Sequence, residues 1–155
     1  MIIFNHEIMK KYLVFAVTFF IALSFHLSAQ EVVPGQFLYE GTIDEKHKIT
    51  MFLSVEDPCG GNPYVIGMYQ YNDQEEWIEL TIAYNEEEGR YCMMEYLFTG
   101  VMILKKTDSI MEGIWISPDA KKQLPVKLQK KTLSRLQKEL YSEIMEELNY
   151  LHNDC

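Results

Sequence analysis

Beyond the N-terminal segment, the side chains that could do chemistry are two histidines and a few carboxylates in stretches of β pattern. His47 falls in a turn and His152 in the C-terminal tail, and neither has a serine or cysteine placed to form a nucleophile with its base. Glu79 and Glu95 fall in expected strands, where they could act as acid and base across a barrel mouth or simply point outward. The pattern therefore predicts no catalytic residues and a protein that is not an enzyme. A hydrolase that uses these strand carboxylates is the alternative.

Residue types that bind metals occur in two places, and neither has the spacing of a metal site. The tail HNDC, residues 152–155, is interpreted as a frayed terminus. The acidic residues Asp73, Glu75 and Glu76 match no established calcium loop. We expect no metal and no cofactor.

Aromatic side chains are abundant and form the only candidates for a ligand site. They could line a site for a sugar or an apolar ligand, or they could fill the core of a β protein. The candidates are Tyr69, Tyr71, Trp77, Tyr96 and Trp115.

The N-terminal segment has the layout of a secretory signal peptide. Lys10 and Lys11 follow Met9, an apolar run extends from Tyr12 to Leu23, and small residues precede a cleavage position after Ala29. The apolar run is shorter than the ~20 residues of a membrane span. We expect residues 1–29 to be removed, with translation starting at Met9, and residues 30–155 to form one exported domain, secreted or periplasmic.

The charge of the chain is acidic, with 14 basic and 23 acidic residues. This balance argues against nucleic acid as a partner, because phosphates require lysine and arginine. It is compatible with a basic protein partner or with solubility alone. The acids concentrate between Asp73 and Glu95 and the lysines between Lys105 and Lys131.

Alternation of apolar and polar residues predicts eight short strands joined by short turns. The clearest examples are Lys48–Val55 and Trp77–Tyr84, in which every second residue is apolar. Strands at this spacing indicate an antiparallel up-and-down meander. The predicted strands are Gln36–Ile43, Lys48–Val55, Tyr64–Tyr71, Trp77–Tyr84, Arg90–Phe98, Val101–Lys105, Ile110–Ser117 and Gln123–Gln129.

Several of these strands are apolar on both faces, so a flat exposed sheet is excluded. The meander can close into a barrel, or it can stay open as a strongly curved sheet with another element across it. Residues 132–151 predict an amphipathic helix that begins at Thr132 or Ser134. Its stripe of leucines places Leu140 in the buried face, so Leu140→Asp is expected to cost several kcal/mol.

The resulting architecture resembles small secreted bacterial β-barrel domains, namely avidin-like and lipocalin-like binders and periplasmic lysozyme-inhibitor barrels. The segments Gly67-Met68-Tyr69 and Gly113-Ile114-Trp115 each place a glycine two residues before an aromatic in a strand, and a helix after the last strand is similar to the lipocalin plan. The chain has Phe37-Leu38-Tyr39 where lipocalins carry Gly-x-Trp. The resemblance implies a binding barrel and transfers no functional residue.

Export would place Cys59, Cys92 and Cys155 in a compartment where disulfides form. In a meander, the loop that holds Cys59 and the turn before Cys92 lie at the same end. We therefore predict a Cys59–Cys92 disulfide, with three reduced thiols as the alternative.

Together these features predict an exported, non-catalytic binding module. Its barrel mouth or loops would engage a ligand or a basic protein. The alternatives are the hydrolase above and an assembly protein that associates through its C-terminal helix.

Overall fold

The computed structural model describes residues 34–58, 61–85 and 87–153 of the chain. Within them, eight antiparallel strands form a closed barrel, which is followed by one helix. The predicted signal peptide and Cys59 lie outside the described residues. The elements are β1 (Gly35–Ile43), β2 (His47–Glu56), β3 (Tyr64–Tyr71), β4 (Trp77–Asn85), β5 (Arg90–Glu95), β6 (Val101–Thr107), β7 (Ile110–Ile116), β8 (Gln123–Lys131) and α1 (Arg135–Asn153).

The meander closes because β1 pairs with β8 along six residues, from Leu38 opposite Lys131 to Ile43 opposite Val126. Each of the remaining strand pairs joins two strands that follow one another in the sequence. The closed barrel is thus confirmed and the open curved sheet is wrong. We call the end of the barrel that holds the β1–β2, β3–β4, β5–β6 and β7–β8 turns the Tyr96 end, and the opposite end the Gly35 end.

Side chains that alternate along each strand fill the barrel interior. Along β2, Ile49, Met51, Leu53 and Val55 all point inward and are buried, as the alternation predicts. Three more methionines join Met51 there, and this flexible side chain suits the irregular space inside a small barrel. The buried methionines of this core are Met51, Met93, Met102 and Met111.

The outer face of β2 and β3 is also buried, because α1 packs across it. Phe52 and Met68 point outward from the barrel and meet Met145 of the helix in a second apolar cluster. The helix runs from the Gly35 end, where Ser142 accepts a hydrogen bond from Nε2 of Gln36, to the Tyr96 end. This explains why strands near the helix are apolar on both faces.

The helix begins with a capping box at Ser134. The Oγ of Ser134 accepts from the backbone N–H of Gln137 at 3.3 Å, and the Gln137 side chain accepts from the backbone N–H of Ser134 at 3.0 Å. Ser134 is thus confirmed as the N-cap, and α1 starts at the next residue, Arg135.

Strand β5 ends three residues earlier than the sequence predicts. Residues Tyr96–Phe98 form a 3₁₀ turn in which Leu97 and Phe98 have φ values of 58° and 57°. A positive φ is incompatible with a continuing strand. The chain reverses here, and the backbone N–H of Glu95 donates to the carbonyl of Gly100 at 3.0 Å.

The prediction that Leu140 lies in the buried face of the helix is wrong. Leu140 is 51% exposed and Leu136 78% exposed. The buried side is turned towards Tyr141, Met145 and Leu148, so the leucine stripe straddles the edge of the contact. Tyr141 and Met145 dock the helix together with Ile144 and Leu148 of the predicted stripe, while Leu136 and Leu140 lie outside the contact.

Because Met145 is buried and Leu140 is exposed, substitution of Met145 should destabilise the protein more than substitution of Leu140. Met145→Ala should lower the free energy of unfolding by about 2–3 kcal/mol, because it empties a buried contact with Phe52 and Met68. Leu140→Ala, on the exposed flank of the same helix, should change it by less than about 1 kcal/mol. Urea unfolding followed by circular dichroism measures both. Equal losses would mean that the helix docks through its leucine stripe.

Candidate functional site

A groove of about 800 Å³ opens at the Tyr96 end, between the last turns of α1 and the turns that follow β3 and β5. Trp77, Ile144 and Leu148 form its apolar base, and they also pack in the outer cluster that docks the helix. Leu97 and Leu151 stand on opposite sides, 78% and 65% exposed. The groove therefore presents apolar surface that the described residues leave exposed.

His152 fixes one wall of this groove. Its ring stacks on that of Tyr96, with centroids 3.6 Å apart and an angle of 4° between the planes. Its Nδ1 lies 2.5 Å from Oε2 of Glu79, in a hydrogen bond that the ring N–H donates to the carboxylate. These two contacts hold the end of α1 against β4 and the 3₁₀ turn, so the wall is built from residues far apart in sequence.

The rim of the groove is acidic. Four carboxylates line it, from Glu75, Glu76, Glu79 and Glu147. Among the described residues, one of these four carboxylates has a side-chain partner: Glu79, which accepts a hydrogen bond from His152. Carboxylates around an apolar, partly shielded surface attract cations more strongly than they would in open water, because the local dielectric is lower.

A different set of polar groups lies inside the barrel, close to the same end. Glu95 is buried, and its Oε1 accepts hydrogen bonds from the hydroxyl of Tyr69 and from Nε1 of Trp115, both at 2.6 Å. Its Oε2 accepts from Thr99 Oγ1 at 2.7 Å. Burial, and then the bond to Glu95, raise the pKa of Tyr69, so that its phenol stays a neutral donor.

Trp115 reaches Glu95 because Gly100 leaves room for its ring. A Cβ at Gly100 would lie 2.4 Å from Nε1 of Trp115, and this atom is the donor to Glu95. The glycine that follows the 3₁₀ turn thus allows the indole to cross the barrel end. At this end of the barrel interior, the polar groups of Glu95, Tyr69, Trp115 and Thr99 thus all have hydrogen-bond partners.

The structure divides the five aromatic candidates between two places. Tyr69 and Trp115 belong to the interior network, and Tyr71 packs edge-on against Tyr69. Trp77 and Tyr96 line the groove on the outside. The five residues therefore do not form one aromatic wall for a ligand.

Glu79 and Glu95 lie on opposite faces of the sheet. Glu95 is the strand partner of Leu80 and points into the barrel, whereas Glu79, next to Leu80, points outward to His152. Two carboxylates separated by the sheet do not share one substrate. The geometry thus places no acid and base pair at a common mouth.

Cys92 is exposed on the outer face of β5 and carries a free thiol in this structure. The Cys92 side chain is therefore not part of the buried core. The predicted partner, Cys59, is outside the described residues, and the disulfide stays a prediction. Pro63, at the end of that loop, accepts a hydrogen bond from the hydroxyl of Tyr84 at 2.6 Å.

Sequence reasoning missed His152 as part of a site, because it treated residues 152–155 as a frayed tail. His152 belongs to α1 and is half-buried, and it follows Leu148 and Met145 on the buried face at helical spacing. That spacing is the signal that could have found it. Asp154 and Cys155 lie outside the described residues.

In residues 34–58, 61–85 and 87–153, no group of three or more metal-ligating side chains converges. None of the helical structure in those ranges is long and apolar enough to cross a membrane. Comparison with known proteins gives no match among family models, curated protein sequences or solved structures.

Proposed function

We propose that this protein is a non-catalytic binding module that holds a basic partner protein in the groove at the Tyr96 end. The observation that carries the proposal is the combination of exposed Leu97 and Leu151 with an acidic rim around an apolar base. The matching partner segment carries an apolar side chain flanked by lysine or arginine. Its apolar residue would contact Trp77 and Leu148, and its cations would approach the rim carboxylates.

Two further features support this function. The N-terminal layout of a signal peptide supports export, so that the partner would be a secreted or periplasmic protein. The barrel-plus-helix architecture supports the likeness to secreted avidin-like, lipocalin-like and lysozyme-inhibitor binders. The groove lies outside the barrel wall, so the proposed binding mode uses the helix and turns.

The proposal is tested with a short amphipathic peptide of leucine and lysine and a matched peptide in which glutamate replaces lysine. The lysine peptide should bind the purified protein, with an affinity that falls as salt is raised, because exposed charges are screened. Glu75→Lys combined with Glu147→Lys should weaken binding at least about tenfold. Fluorescence titration through Trp77 measures these affinities.

The matched control is Glu87→Lys combined with Asp57→Lys, which makes the same charge change at exposed positions of the Gly35 end, away from the groove. The control should retain most of the parent affinity. Equal weakening in both variants would show that only net charge matters, and equal binding of the two peptides would show that the rim does not select cations. Either result contradicts the proposal.

Association of copies through α1 is the competing function, and the exposure of Leu136 and Leu140 favours it. Sedimentation velocity of the protein alone separates the two. A monomer that binds the lysine peptide supports the groove. A dimer that Leu136→Ser with Leu140→Ser converts to a monomer, without peptide binding in either form, supports assembly.

A further inference from the structure

A second cavity, of about 290 Å³, lies beneath α1 against the outer wall of the barrel. It is distinct from the groove at the Tyr96 end, although Glu79 borders both. Its walls come from β1, β2, β3, β4 and the middle of the helix. The residues around it are Gln36, Phe52, Ser54, Glu56, Ile66, Gly67, Glu79, Leu80, Ser142, Met145, Glu146 and Asn149.

The inner part of this cavity is apolar. Phe52 and Met145 are buried, and Ile66 packs against the same cluster. Phe52 and Ile66 stand on the outer face of the barrel, and Met145 closes over them from the helix. A cavity with such walls favours the apolar body of a small organic molecule.

The polar groups lie around the edge of the cavity and are mostly hydrogen-bond acceptors. Ser54 is buried, and its Oγ donates to Oε1 of Glu56 at 2.6 Å, so that the hydroxyl oxygen keeps its capacity to accept a hydrogen bond. Ser142 accepts from Gln36 at 2.9 Å, which ties the helix to β1 beside the opening. A ligand that enters here meets oxygen atoms that accept hydrogen bonds.

The charge of the edge has one sign. Glu56, Glu79 and Glu146 come from β2, β4 and α1, and no lysine, arginine or histidine is among the described residues that line the cavity. In the described ranges, neither Glu56 nor Glu146 forms an ion pair, whereas Glu79 pairs with His152 on its groove side. An anionic ligand would be repelled, and a cation would gain charge-assisted hydrogen bonds.

From the apolar walls and the acidic edge together, we propose that this cavity binds a small organic cation. Its apolar body lies between Phe52 and Met145, and its ammonium group is held at the edge by Glu56 and Glu146. The chemical class is a compact primary amine with one apolar ring or short chain. The site is distinct from the proposed partner groove, because Phe52, Glu56, Met145 and Glu146 do not line that groove.

The test compares three probes of matched shape: phenethylammonium, the neutral phenethyl alcohol and the anionic phenylacetate. Binding is followed by amide shifts in nitrogen-15 NMR spectra of the full chain. Phenethylammonium should bind at least about tenfold more tightly than the alcohol, and phenylacetate should not bind. The shifts should cluster at Ser54, Ile66 and Ser142. Equal affinity for amine and alcohol, or shifts scattered over the surface, would overturn the site.

Two variants separate the contributions of charge and space. Glu56→Gln should weaken phenethylammonium about tenfold, and Ser142→Met should abolish binding by filling the cavity. Glu139→Gln, on the exposed side of the same helix, should leave the affinity unchanged. Unaltered binding in Glu56→Gln overturns the proposal even where Ser142→Met disturbs folding. Glu75→Lys with Glu147→Lys distinguishes the two sites, because it should spare the amine while it weakens the lysine peptide.

Discussion

Alanine in place of Gly41 is expected to cost on the order of 4 kcal/mol or more of folding free energy, enough to leave much of the protein unfolded. Gly41 is the strand partner of Leu128 where β1 meets β8. A Cβ at Gly41 would lie 1.9 Å from the carbonyl oxygen of Lys127 and 2.9 Å from the Cα of Leu128. Both atoms belong to the backbone, so no side chain can rotate away, and the seam of the barrel would have to separate.

Urea unfolding monitored by tryptophan fluorescence and far-ultraviolet circular dichroism measures this loss. Gly61→Ala is the matched control, because a Cβ there would meet first the Cγ of Pro58 at 3.0 Å, in a loop outside the strands. The control should unfold near the parent midpoint. A Gly41→Ala protein that unfolds like the parent would show that β1 and β8 do not approach so closely.

Removal of the Glu95 carboxylate is expected to have the second largest effect. Glu95→Ala leaves the Tyr69 hydroxyl and the Trp115 indole N–H without their acceptor inside the barrel. Unsatisfied buried donors cost about 1–3 kcal/mol each, so the total loss should be about 3–4 kcal/mol. The emptied space adds to this cost.

Glu95→Gln separates the loss of the acceptor from the loss of charge. The amide oxygen can still accept from Tyr69 and Trp115, and its NH₂ group can donate to the hydroxyl of Thr99. The glutamine protein should therefore lose less than half as much stability as the alanine protein. Chemical denaturation, with the near-ultraviolet dichroism of Trp115 as a local probe, compares them. Equal losses would mean that charge, and not the acceptor, holds this network.

The barrel could be predicted from local patterns because each pattern reports a physical requirement. The alternation in β2 and β4 reflects one face towards a core, and short turns allow only neighbouring strands to pair. The end of β5 could not be predicted in this way. Apolar Leu97 and Phe98 continue the β pattern, yet the chain needs a reversal there to bring Gly100 opposite Glu95.

The groove was less predictable because it depends on how α1 lies on the barrel. A helical pattern shows that one face is buried, but the leucine stripe and the Tyr141–Met145 side differ by a modest rotation. The contacts with Phe52 and Met68 determine that the Tyr141–Met145 side faces the barrel. The meeting of His152 with Glu79 and Tyr96 follows from that rotation, and periodicity alone contains no information about it.

The β1–β8 seam also determines how the chain can fold. The other strand pairings join sequence neighbours across short connections, so hairpins can form early and independently. Leu38 must instead find Lys131 from the far end of the barrel sequence, and closing that large loop carries an entropic cost before any contact offsets it. Until β8 has been synthesised, β1 keeps one unpaired edge that another chain could occupy. We therefore expect closure of the β1–β8 seam to be the step at which folding competes with aggregation.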